Sequence, residues 1–142
     1  MKKTKDTLDL SFERKIAAPQ QEVFDAWLNP LVPGTPWSES KKLILDPKVD
    51  GLFYWVHESG CPHFGRFTKV QSPALIEHTW MSPNTLGVES KVSVRFRKKG
   101  KHTLMTLRHS GIPNTKKGRG HEWGWNYFLD AFYGAAGKVS IK

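Results

Sequence analysis

From Leu8 onward apolar and polar side chains alternate. Leu8, Leu10, Phe12 and Ile16 fall on one face and Asp9, Ser11, Glu13 and Lys15 on the other, the period of a half-buried strand. Arg14 interrupts the apolar face. Ala18-Pro19 ends the strand, because proline fixes φ and suits the first turn of a helix; Val23, Phe24, Trp27 and Leu28 then recur at helical spacing. Pro30, Pro33 and Pro36 follow. Each proline costs a helix interior about 3 kcal/mol, so the second of two short helices expected after the first strand is brief or broken, with Trp37 anchoring the corner.

Four short strand-like runs come next, at 42–45, 52–58, 64–70 and 75–80, punctuated by Asp50-Gly51, Ser59-Gly60 and Ser72-Pro73. Such short connections favour an antiparallel meander. Val88, Val92, Val94 and Phe96 then share one face, and Glu89, Lys91, Arg95 and Arg97 the other. A polar turn at 98–101 leads into a partner strand at 103–109. After Pro113 the period becomes helical, with His121, Trp125, Phe128, Leu129, Phe132 and Ala136 on one broad stripe. Gly118 and Gly120 belong to the lead-in of this long terminal helix, and Gly124 is expected where another group approaches closely. The elements predict an α+β fold in a single domain over residues 1–142.

Composition adds one demand to this picture. Charged and apolar fractions are ordinary, but aromatics reach 12% with six tryptophans, so large flat side chains must line a cavity or fill a core. A net charge of +9 suits an anionic partner without choosing among nucleic acid, lipid and protein. No stretch approaches the 18 or so apolar residues of a membrane span, and Met-Lys-Lys-Thr-Lys runs into Asp6 rather than an apolar secretory segment. Together with the lone Cys61 this leads to an expected cytoplasmic location.

Four segments carry a resemblance that covers nearly the whole chain: Ala18-Pro19 followed by 23–27; Asp46-Pro47 with Gly51 and Phe53; Gly65-Arg66-Phe67 leading to Leu75-Ile76 and Thr79-Trp80; and 121–125 before Leu129-Asp130. In these the chain resembles the START-like, or SRPBCC, superfamily, and within it the family related to the activator of the heat-shock protein ninety ATPase. The chain departs from that family at Asp50-Gly51, where paired glycines are usual, and at Pro33-Gly-Thr-Pro36, where a helix usually ends in paired aromatics. The resemblance implies a helix-grip (Bet v-like) fold, with a curved antiparallel sheet wrapped around the terminal helix and an internal pocket for an apolar small molecule. It implies a chaperone or other protein partner more loosely.

Phe12, Phe53, Trp55, Trp80, Val92, Val94, Met105, Trp125, Leu129 and Phe132 are the candidate pocket lining, with Arg14 and His109 as the few polar groups that would orient a ligand. Periodicity does not distinguish lining a cavity from close-packing a dry core. No nucleophile, base and orienting group fall together, so no catalytic set is assigned; an enzyme of cyclase or hydrolase type using His109 or His121 stays as an alternative. His121-Glu122 are adjacent on a helix and do not face one another. His57, Glu58, Cys61 and His63 fit no established zinc spacing, and no phosphate loop or dinucleotide fingerprint is present, so neither metal nor cofactor is expected. Basic runs such as Lys98-Lys99-Lys101, Lys116-Lys117-Arg119, Arg95-Arg97 and Lys41-Lys42 lack the interleaved exposed aromatics of a nucleic-acid surface. That argues against a nucleic-acid partner.

Overall fold

The computed structural model describes residues 6–139. Seven strands, β1 (Thr7–Ile16), β2 (Ser40–Leu45), β3 (Leu52–His57), β4 (Pro62–Gln71), β5 (Leu75–Trp80), β6 (Ser90–Lys99) and β7 (His102–Pro113), form one antiparallel sheet in the order β1-β7-β6-β5-β4-β3-β2. Helix α1 (Gln20–Trp27) follows β1; α2 (Lys116–Arg119) and the long α3 (His121–Val139) close the described chain. The sheet curves around α3 in a helix-grip fold. Among the described residues no helix is long and apolar enough to cross a membrane.

The two expected short helices after the first strand become one. Residues 28–39 run as turns, because the prolines at 30, 33 and 36 remove donors and clash with a preceding helical turn. Val88 also falls outside the strand it was expected to join and is exposed. The connection before β6 is taken by a 3-10 turn, Pro83–Thr85, closed by a reciprocal capping box between Ser82 and Thr85.

Period-two alternation explains the core. Along β7, Thr103, Met105, Leu107 and His109 are buried while Leu104 and Thr106 are only half-buried. Inward side chains of the sheet meet Trp125, Leu129, Phe132 and Ala136 of α3, and α1 adds Val23, Phe24 and Trp27. Burying one such large side chain stabilises the fold by about 1.5–3 kcal/mol.

Polar contacts fix where α3 lies on the sheet. Arg14 Nε and Nη2 of β1 donate to Asp130 Oδ1 at 3.1 and 2.9 Å, and Nη2 also donates to Asn126 Oδ1 at 2.8 Å. Deeper in, the Trp125 indole N–H donates to His109 Nδ1 at 2.9 Å. The corner at residues 33–36 also presses on the helix backbone. A Cβ at Gly34 would lie 2.2 Å from the Phe132 nitrogen, and its φ of +89° suits only glycine.

Candidate functional site

A cleft of about 540 Å³ opens at the amino-terminal end of α3. Strand alternation turns Trp55 of β3 inward while Tyr54 faces out. Antiparallel pairing sets His63 of β4 opposite Trp55, where the rings stack at 3.9 Å and 5°. Trp80 ends β5 on the inner face, its ring 5.2 Å from that of Trp125 on α3. Phe128 stands one helical turn beyond Gly124, and both line the cleft with His121 and Gly120. Lys116 and Lys117 of α2 and Asn84 of the 3-10 turn complete the lining. A second lobe of about 380 Å³ shares Trp55, His63, Asn84, Gly124 and Phe128 and reaches Cys61, His57 and Tyr127.

The chemistry of the walls is apolar with a few unspent polar groups. Among the described residues the buried indole nitrogens of Trp55 and Trp80 and Nδ1 of His63, all sealed from solvent, have no hydrogen-bond partner. Burial, reinforced by the charges of His121 and His57, pushes the His63 imidazole down to about 4, so it is neutral near pH 7. His121 is also pushed down by burial. Its Nδ1–H donates to the Gly118 carbonyl at 2.8 Å, which leaves Nε2 as an acceptor in the neutral ring. Burial pushes the Cys61 thiol up, with the nearby Lys117 charge acting in the opposite direction.

Behind the cleft, His109 is fully occupied. With Nδ1 accepting from Trp125, Nε2 carries the proton and donates to Ser90 Oγ at 2.7 Å, and that hydroxyl donates to the Trp80 carbonyl at 2.6 Å. This polarity leaves His109 no free ring nitrogen for a molecule in the cleft.

The family model for activator of Hsp90 ATPase homolog 1-like proteins matches residues 17–137. The chain belongs to this family. No curated protein matches the chain by sequence. Among solved structures, PFC0360w, an HSP90 activator from Plasmodium falciparum, is 25% identical over 86% of this chain and 91% of its own, with a TM-score of 0.71. The AHSA1-like protein of Aeromonas hydrophila is 19% identical over 95% and 96% of the two chains, with a TM-score of 0.71. SA2116 of Staphylococcus aureus, a protein of unknown function, is 14% identical over 96% and 97%, with a TM-score of 0.78.

Within this AHSA1-like chain the residues expected to line a pocket separate into groups. Trp55, Trp80 and Trp125 wall the cleft. Phe53 lies in the core, and it also borders a depression of about 530 Å³ lined by the exposed Leu52, Tyr54 and Phe64. Phe12, Val92, Val94, Met105, Leu129 and Phe132 belong to the packed core, and Arg14 grips α3. Gly124 was expected at a close approach, but a Cβ there would meet nothing within 4 Å. It faces open space, and the glycine that approaches α3 closely is Gly34. His57, Glu58, Cys61 and His63 do not converge; among the described residues no group of three or more His, Cys, Asp or Glu could hold a metal ion.

Sequence reasoning did not assign His63, Asn84, Lys116, Lys117, Gly124 or Phe128 to the site. His63 and Phe128 carried a signal, since His63 follows a turn into an inward position and Phe128 lies on the helical stripe. The lysines read as one more solvated basic run, and nothing local ties Asn84 to α3.

The departures from the family pattern have local explanations. Asp50 takes a φ of 69°, the left-handed conformation that a glycine would adopt without strain. Trp37, after the proline-rich corner, is buried and donates its indole N–H to the Trp27 carbonyl at 2.8 Å.

Proposed function

We propose that this chain is a binding module that takes a small, largely apolar molecule into the cleft at the amino-terminal end of α3. The observation that carries this reading is the cleft itself. Its volume of about 540 Å³ falls in the ordinary range of ligand pockets, roughly 300–1,000 Å³, and its walls are aromatic. Core side chains fill the space between the sheet and the middle of the helix, so the ligand would enter at one end of the grip rather than along its length.

Titration with the neutral probe N-phenyl-1-naphthylamine, followed by tryptophan emission, tests the reading, because Trp55, Trp80 and Trp125 line the site. Saturable quenching is expected in the native chain and its loss in a Trp125→Ala variant that still unfolds cooperatively. Unchanged emission at saturating probe, together with native mass spectra of the purified protein free of any co-purified molecule, would sink it.

A second reading rests on a different observation. The similar Plasmodium falciparum protein is described as an HSP90 activator, and this chain carries a net charge of +9 suited to an acidic partner surface. In that reading the domain regulates a heat-shock chaperone ATPase. A chaperone ATPase rate unaltered by excess domain at low salt would remove it.

A further inference from the structure

We propose that the occupant of the cleft is a planar aromatic anion, its ring system held among Trp55, Trp80, Trp125 and Phe128 and its charged group placed over Lys116 and Lys117. The inference rests on the binding reading above and gives it a ligand class.

Two independent features carry it. The first is shape. Trp55 lies flat against His63, Trp80 and Trp125 are inclined at 48°, and Phe128 stands edge-on to Trp55 at 74°, so the lining is a set of rings fixed against one another. Rigid aromatic systems meet such walls in offset or edge-to-face contact. A flexible acyl chain gains little from that geometry and loses rotational freedom on entry.

The second feature is charge. Among the described residues, the lining of this cleft includes Lys116 and Lys117 and no carboxylate. Neither lysine has an ion-pair partner among those the structure shows, whereas Lys48 and Lys91 each approach a carboxylate. Lys117 lies close enough to the thiol of Cys61, which lines the second lobe, for its charge to act there. His63 and His121, pushed down by burial, are neutral near pH 7, which leaves the lysines as the charged side chains lining this cleft, while Glu39 lines the second lobe and accepts from the Tyr127 hydroxyl at 2.7 Å.

Three probes separate the elements of the proposal: 2-naphthoate, its neutral relative 2-naphthalenemethanol, and decanoate, an anion without a ring. They are titrated by tryptophan fluorescence into the native chain, a Lys116→Ala/Lys117→Ala variant and a Gly124→Leu variant, with cooperative thermal unfolding confirmed for each. A leucine at 124 starts from a Cβ in open space and extends into the cleft. At low salt, 2-naphthoate is expected to bind about tenfold more tightly than the alcohol, a step of 1.4 kcal/mol. That preference is expected to shrink as salt is raised and to vanish in the double lysine variant, while the alcohol's affinity stays the same. Gly124→Leu is expected to abolish binding of both.

Equal affinity for naphthoate and the alcohol overturns the anion, tighter binding of decanoate overturns the planar ring, and a preference that survives loss of both lysines overturns their role. Failure of naphthoate where N-phenyl-1-naphthylamine still binds overturns this proposal and leaves the binding reading standing. Failure of every probe overturns this proposal, and with native mass spectra free of a co-purified molecule it removes both.

Discussion

His109 shows how one buried side chain can have its chemistry decided by its neighbours. Its nitrogens are shared between the Trp125 indole and the Ser90 hydroxyl, and burial holds the imidazole well below its usual range, so it is a neutral hydrogen-bonding strut between β7 and α3. Replacing His109 with alanine leaves the Trp125 N–H without an acceptor and opens a void behind the cleft. Urea unfolding is expected to show a loss of about 2–4 kcal/mol. Gly124 is the opposite case. It sits inside α3 with space in front of it, so Gly124→Ala is expected to raise stability by up to about 1 kcal/mol, through helix propensity and a less flexible unfolded chain. Thermal unfolding checks this. A fall in stability would mean that the glycine is needed for backbone approach, as its sequence context first implied.

At the scale of elements, α3 is positioned by contacts of unequal strength. The Arg14 guanidinium forks onto Asp130 and Asn126, but the Asp130 side chain is 72% exposed, so Arg14→Ala is expected to cost only about 1 kcal/mol in urea unfolding. Gly34→Ala combines a left-handed φ with a backbone collision against Phe132. An expected loss of at least about 2 kcal/mol makes the proline-rich corner the stricter restraint on the helix. The strands and α3 were legible in the sequence because each has one buried face, and burial writes itself as a period of two or about 3.6. Arg14 was legible as an interruption of such a face, though not as a clamp, because its partners lie more than a hundred positions along the chain. Of the cleft, only the tryptophans were assigned from the sequence. Its remaining lining comes from four separate segments, and which of the inward aromatics pack and which leave space depends on how the end of α3 sits on the sheet. Periodicity carries no record of that.

Over the whole molecule, the buried histidines set a condition on pH. Burial pushes His63 and His78 each down to about 4 from an ordinary value of 6.5, while the unfolded chain leaves them near that ordinary value. The folded state therefore holds them neutral where the unfolded state takes up protons. The stability they contribute is fully present above about pH 6.5 and is lost as pH falls toward 4. For each histidine the slope approaches about 1.4 kcal/mol per pH unit inside that window. Carboxylates contribute mainly at the lower end, so the interval from about pH 6.5 to 5 belongs largely to the histidines. His78 lies among the rings of Trp37, Phe53, Phe67 and Trp80, which a phenylalanine could replace by shape at the loss of one Nδ1–H bond to the Thr79 carbonyl. Urea unfolding at half-unit steps across the interval should show the native chain weakening as the solution is acidified. His78→Phe should follow a shallower slope, the difference growing to about 1.4 kcal/mol per pH unit toward pH 5, whatever its stability at pH 8. Parallel slopes for the two chains would mean that His78 is already protonated in the fold, and the aromatic box around it would then have to hold a charge.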